Sequence, residues 1–250
     1  MLSRLALAAA IAAGLATSSS ALDLSEMTDA ERDAFRAEVR AYLLDNPEVL
    51  MEAIGVLEER QQAAQLENDR ALVAAYADQL FDDGHSWVGG NPDGDITIVE
   101  FMDYRCGYCK RAFGEVEELV ATDGNIRLIL KEFPILGEQS SLAAQFAMAV
   151  LEVEGPDAYK TIHDTMMTMR TDVSMSALVE LSDTFGLDTA AISDAMLGTG
   201  VAVAIGRNQG LAQALDISGT PTFVIGDTLV RGYVPLEQMR AIVADLRAEG

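Results

Sequence analysis

The chain holds two cysteines, Cys106 and Cys109, separated by Gly107 and Tyr108. Two thiols three positions apart can close one intramolecular disulfide and leave none for structural bracing. The pair follows the apolar run Ile96-Thr-Ile-Val-Glu-Phe-Met-Asp103, which reads as a buried strand. A C-x-x-C that ends a strand and opens a helix is the arrangement of thiol–disulfide exchange. The thiolate is the nucleophile there, and a helix N-terminus favours an anion. Arg105, Lys110 and Arg111 flank the pair and are expected to lower the Cys106 pKa further. By position, Cys106 is the exposed attacking sulfur and Cys109 the more buried resolving one. Cys106 would form the mixed disulfide with substrate and Cys109 would release it.

Glu100 is the polar residue of its strand, between Val99 and Phe101. Burial on both faces of a sheet raises a carboxyl pKa and makes it a proton acceptor. Lys131, in the next strand, is the candidate ionic partner for it. Metal binding is the chemical alternative. A closed zinc site takes four ligands, and beyond the thiols the chain offers His85, His163 and its methionines. Both histidines read as surface or packing residues. Met166, Met167, Met169 and Met175 with the two thiols would make a soft set for copper(I), against their commoner use as core filling. No metal and no other cofactor is assigned. Downstream, Ser218-Gly-Thr-Pro-Thr-Phe-Val-Ile225 places a proline just before an apolar strand, where a tight turn fits.

The elements around these residues follow from local signals. Thr28-Asp-Ala-Glu31 is a capping box, which predicts a helix to about Leu44. Asn46 and Pro47 are expected to cap and open a second helix reaching about Leu80. Its apolar residues fall in two stripes, Val49–Leu57 and Ala71–Leu80, joined by the polar connector Glu58–Arg70. Stripes divided in this way face different partners. The first is expected to pack on copies of itself. Strands are expected at His85–Val88, Ile96–Asp103 and Ile126–Phe133, with a helix from the thiols to about Thr122. Residues 140–214 read as helical, broken at Gly155-Pro156, Arg170–Val173, Gly186 and Gly198–Gly200. A hairpin around Gly226-Asp227 joins Thr222–Ile225 to Thr228–Arg231, and Pro235 opens a last helix, Leu236–Ala248.

The net charge of −23 repels nucleic acid and anionic lipid, so protein partners are expected. Arg4, the apolar run Leu5–Leu15 and the small residues Ser19-Ser20-Ala21 read as a secretory signal, residues 1–21, cut after Ala21. Export places the two thiols where disulfides persist.

Glu100-Phe-Met-Asp-Tyr-Arg-Cys-Gly-Tyr-Cys109, with Gly219-Thr-Pro-Thr-Phe-Val-Ile225 downstream, resembles the DsbA-like branch of the thioredoxin-fold oxidoreductases. The resemblance implies an α/β thioredoxin fold over residues 70–250, with a helical insertion at about 138–215. An N-terminal helical oligomerisation segment and linker, residues 22–69, would precede it. It also implies a buried acid at Glu100, a cis peptide bond before Pro221, and substrate pairing with the Thr220 backbone, beside Gly107 and Tyr108. Cys-Gly-Tyr-Cys with Thr before that proline is similar to the active site of the isomerase DsbC. Tyr42-Leu-Leu-Asp-Asn-Pro-Glu-Val-Leu-Met-Glu-Ala-Ile54 resembles the trimerisation region of ScsC-type proteins, which are periplasmic and linked to copper tolerance. ScsC-like proteins often carry proline after the first cysteine, where this chain has Gly107. The implied activity is periplasmic disulfide exchange on exported proteins, isomerase or reductase ahead of oxidase. A membrane redox partner and a homo-oligomer, a trimer first, are implied with it. The alternatives are a copper(I)-binding tolerance protein using the same cysteines and a chaperone-like scaffold.

Overall fold

A computed structural model describes residues 27–249. The secretory-signal reading, residues 1–21, lies outside the described residues. The chain divides into two compact units, ending and beginning at Arg60 and Gln61.

In the first unit, helix α1 (Asp29–Asp45) starts at the expected capping box: Glu31 N–H donates to the Thr28 hydroxyl while the Glu31 carboxylate accepts from the Thr28 N–H. None of its residues is buried. The Asn46 side chain does not cap the second helix, although its carbonyl accepts from the Val49 N–H at the start of that helix. The backbone and side-chain N–H groups of Asn46 both donate to the Tyr42 carbonyl, so it closes α1 instead. An exposed groove of about 340 Å³ is lined by Phe35, Val39, Leu43, Leu44 and Leu50. Helix α2 spans Glu48–Ala75, and the connector 58–70 is helical throughout.

In the second unit the helix expected to reach Leu80 stops at Tyr76, and a short helix α3 (Ala77–Phe81) follows. The break lets fully buried Leu80 enter the core and leaves the Phe81 carbonyl to accept from Arg127. The buried stripe is Val73 and Leu80, with Leu72 and Tyr76 partly covered, rather than one that includes Ala71 and Ala75. The larger side chains remove more apolar surface from water and so set the facing.

Among the described residues five strands form one sheet: β1 (Trp87–Gly90), β2 (Ile96–Met102), β3 (Ile126–Glu132), β4 (Thr222–Ile225) and β5 (Thr228–Arg231), in the order β1-β3-β2-β4-β5. Only β2 and β3 run parallel, joined by α4 (Gly107–Asp123). Helices α5 (Glu138–Glu154), α6 (Pro156–Thr168), α7 (Met175–Phe185), α8 (Thr189–Met196) and α9 (Thr199–Ala214) lie between β3 and β4, and α10 (Leu236–Glu249) closes the chain. The expected breaks are there: Gly155 caps α5 with Pro156 at the next turn, Gly186 ends α7 in the left-handed region (φ 69°), and Gly198 caps α9. Gly226, at φ 59°, turns the β4–β5 hairpin where L side chains are strained.

Both faces of the sheet are covered, which accounts for the unbroken apolar strands. Ile98, Met102, Leu128 and Phe223 belong to the core shared with α4 and the helical block. Val99, Phe101, Ile129 and Val224 pack with Val73, Leu80 and Leu211 on the other side. The architecture is a thioredoxin fold with a large helical insertion and an N-terminal helical segment.

Candidate active site

Cys106 is the N-cap of α4, with extended backbone (φ −75°, ψ 115°). Its N–H donates to the Asp103 carbonyl at 3.0 Å. Asp103, not among the expected site residues, organises this turn. Its buried carboxylate accepts from the N–H groups of Arg105 (2.7 Å), Ile135 (2.9 Å) and Leu136 (3.2 Å) and from the Ser140 hydroxyl (2.8 Å). An Asp at the end of a strand, bonded to its own backbone two residues on, is a turn signal that the sequence carries.

The two sulfurs are free thiols and differ in environment. Cys106 is 7% exposed and Cys109 fully buried. Cys106 is therefore the more accessible of the two, but largely covered rather than exposed. The Cys106 thiol lies 3.1 Å from the Thr220 carbonyl, to which its S–H donates. A thiolate cannot make that bond and is held by donors instead. The Cys109 thiol contributes most, then the Thr220 side chain and the N–H groups of Cys109 and Tyr108. Together they overcome burial and bring Cys106 down to about 5, from roughly 8.5 for a free cysteine. The Cys109 N–H stands 3.4 Å from the sulfur. Donating to Cys106, together with burial and the Glu100 charge, moves Cys109 far upward.

The flanking cations do not act as expected. Arg105 pairs with Asp172 at 2.8 Å, Lys110 donates to the Met169 carbonyl, and Arg111 lies over the Tyr233 ring. Each is engaged by a group that folding brings in from more than 50 residues away, and the thiolate relies on hydrogen bonds.

Glu100 is 3% exposed and sits opposite Leu130 on one side and Phe223 on the other. Burial first, then the charges of Glu117 and Cys106, push it up to about 8. Its Oε1 has no hydrogen-bond partner among the described residues. Lys131 is not its ionic partner. It stands opposite Phe101, so strand alternation turns it to the other face, where its ammonium meets Asp83 at 2.5 Å.

The Thr220–Pro221 bond is cis, and the Thr220 carbonyl just before Pro221 makes that 3.1 Å contact with Cys106. Gly107 is the first residue of α4, with open space where a side chain would begin, and Tyr108 is 61% exposed. The structure thus brings Cys106, Cys109, Gly107, Tyr108, Glu100, Thr220 and Pro221 into one place.

The histidines and methionines lie elsewhere. His85 bonds to Asn208 and Asp83. His163 is buried and pushed down to about 3 by burial and then Lys160. It lies 3.1 Å from the Tyr104 hydroxyl, which donates to Glu132, itself raised to about 8 by burial. Met166 and Met167 are core residues, while Met175 is exposed. Among the described residues no three His, Cys, Asp or Glu side chains gather as a metal site.

Residues 82–245 match the family described as thioredoxin, and residues 31–64 match the copper resistance protein ScsC N-terminal domain. A thioredoxin-like oxidoreductase from Silicibacter pomeroyi DSS-3 is 40% identical, over 68% of this chain and 97% of that one, with a TM-score of 0.64. Proteus mirabilis ScsC in a compact conformation is 31% identical, over 87% of this chain and 98% of that one, at a TM-score of 0.65. Salmonella enterica Typhimurium BcfH is 28% identical, over 86% and 95%, at 0.72. Curated relatives include the NhaA Na(+)/H(+) antiporters of Salinispora tropica and Salinispora arenicola, of whose length this chain spans 26% and 24%. The fold is of the periplasmic DsbA and ScsC type. With a C-x-x-C pair at the start of α4 and these matches over both units, the chain belongs to the thioredoxin-fold, DsbA/ScsC-like thiol–disulfide oxidoreductase family.

Proposed function

We propose that this chain is a periplasmic protein thiol–disulfide oxidoreductase, acting on exported proteins, with isomerase or reductase action ahead of pure oxidation. The observation that carries the reading is the asymmetry of the two thiols. Cys106, at about 5, is a thiolate at neutral pH, while Cys109 keeps its proton.

The Cys106 thiolate attacks one sulfur of a client disulfide. The client S–S bond breaks, a client thiolate leaves, and a mixed disulfide forms. If a second client thiolate attacks that bond, Cys106 is released and the client has been rearranged with no net redox change. If Cys109 attacks Cys106 instead, the client leaves reduced and Cys106–Cys109 closes. Cys109 must first lose its proton, and Glu100, poised at about 8, is the acceptor. Thr220 would pair with the client backbone as an added strand, with Pro221, Gly107 and Tyr108 forming the rest of the contact.

The Cys-Gly-Tyr-Cys sequence with Thr220 before the proline supports the isomerase side through its similarity to DsbC. So does the N-terminal segment. Exposed Phe35, Val39, Leu50 and Ile54, and the ScsC-type match over residues 31–64, support self-association, a trimer first. Several thiolates around one client favour repeated attack. A membrane redox partner would keep the pair reduced. Residues 22–69 would then be the oligomerisation segment and linker of the catalytic domain 70–250.

Catalysed refolding of a scrambled multi-disulfide protein tests the reading, and it is expected to vanish in Cys106→Ser. A second reading, copper(I) protection by the same thiols, is supported by the match to a copper resistance protein. Titration against a copper(I) chelator decides it. Binding no tighter than that of a simple dithiol sinks it. Suppression of client aggregation that survives in Cys106→Ser would favour a scaffold.

A further inference from the structure

Tyr233 lies in the loop between β5 and α10. Its half-buried ring lies beside the exposed ring of Tyr108, with centroids 6.2 Å apart and planes tilted 31°. It is fixed from three directions. Its hydroxyl donates to Glu115 at 2.6 Å, and the second Glu115 oxygen accepts from the Leu236 N–H at 2.8 Å. The Arg111 guanidinium covers its ring at 4.3 Å. The preceding Gly232 N–H donates to the Pro221 carbonyl at 2.9 Å, which ties this loop to the turn facing Cys106.

A large aromatic side chain standing 61% exposed two residues after the attacking sulfur is apolar surface left in water. Held against an anchored neighbour, it loses little further freedom when something stacks on it. A client strand paired with Thr220 would lie across the face where Cys106 meets the Pro221 turn. The residue next to its reacting cysteine then passes alongside Tyr108. Arg111 puts a cation nearby, yet its guanidinium already lies over the Tyr233 ring, 4.3 Å from the centroid.

We propose that Tyr233 is a specificity-determining residue: with Tyr108 it forms a fixed aromatic ledge for an aromatic side chain beside the client's reacting cysteine. The proposal rests on the oxidoreductase reading above.

Two ten-residue peptides with one cysteine, differing only in Phe or Gly after it, test it as thiols against the disulfide form of the full-length protein. The peptide thiolate attacks Cys106, the Cys106–Cys109 bond breaks, and Cys109 leaves as a thiolate. The acid-quenched mixed disulfide is counted by mass spectrometry. The Phe peptide is expected to react about fivefold faster in the parent. In Tyr233→Leu the ratio falls to about one while the Gly peptide keeps its rate, and in Tyr108→Leu the ratio falls to about one whatever the rate of the Gly peptide. Tyr233→Phe retains most of the preference. A parent ratio of one overturns the proposal, as does a ratio unchanged in Tyr233→Leu. Equal slowing of both peptides makes Tyr233 a structural support and also overturns it. A third peptide, with Asp in the same position, overturns it too if it outpaces the Phe peptide in the parent and loses that lead in Arg111→Gln. Failure of the parent to react with either peptide or with glutathione removes the oxidoreductase reading itself, and the ledge with it.

Discussion

At the scale of residues, the candidate site separates the proton affinities of neighbouring groups. Cys106, at about 5, and Glu100, at about 8, lie on opposite sides of neutrality. Alkylation of the reduced protein by iodoacetamide, followed against pH, should show a midpoint near 5 for Cys106. A midpoint near 8.5 contradicts the hydrogen-bond account. A pKa lowered by folding gives stability that is present in full above the unfolded value of roughly 8.5 and is lost as pH falls through 5. Reduced parent and Cys106→Ser should therefore converge in stability towards acid. Glu100 has the opposite sign. Its pKa is raised, so the stability linked to its proton is full below the unfolded value of 4.5 and is lost as pH rises through 8. Glu100→Gln should shrink the fall in stability between pH 5 and pH 8 by roughly 2–4 kcal/mol in denaturant titrations. An unaltered slope would place Glu100 in contact with water. The cysteines and Glu100 were legible because their signals lie within ten residues of one another. The roles of Arg105, Lys110 and Arg111 were not, because Asp172, the Met169 carbonyl and Tyr233 reach them only through tertiary structure.

At the scale of elements, Lys131 shows how a correct strand can carry a wrong pairing. The strand was expected where it lies, but its register with β2 sets the facing, and one position changes the face. Lys131 is fully buried against Asp83. Burial alone would raise that aspartate, but its bond and charge pairing with Lys131, with Ser86, bring it to about 2. Lys131→Met leaves Asp83 buried without its cation and should cost about 3–5 kcal/mol in equilibrium unfolding. A loss below 1 kcal/mol would show that water replaces the ammonium. Helix ends marked by a capping box or glycine were readable. The break at Tyr76 and the role of Asn46 were not, since Asn serves a helix start and a helix end alike.

At the scale of the whole molecule, the N-terminal helices expose the apolar side chains Phe35, Val39, Leu50 and Ile54, the surface proposed above for self-association. Deleting residues 22–60 spares Asp69, whose carboxylate holds Arg231 at 2.7 Å. The shortened chain should be a folded, redox-active monomer by light scattering, with isomerase activity reduced more than dithiol oxidation. An intact oligomer after the deletion would move the interface elsewhere. The measurement that bears most directly on the central claim is recovery of activity from a scrambled multi-disulfide client, with reduced parent and Cys106→Ser compared side by side. The parent should restore the client well above the uncatalysed rate, and Cys106→Ser should match buffer alone. A Cys106→Ser protein as effective as the parent would contradict the account.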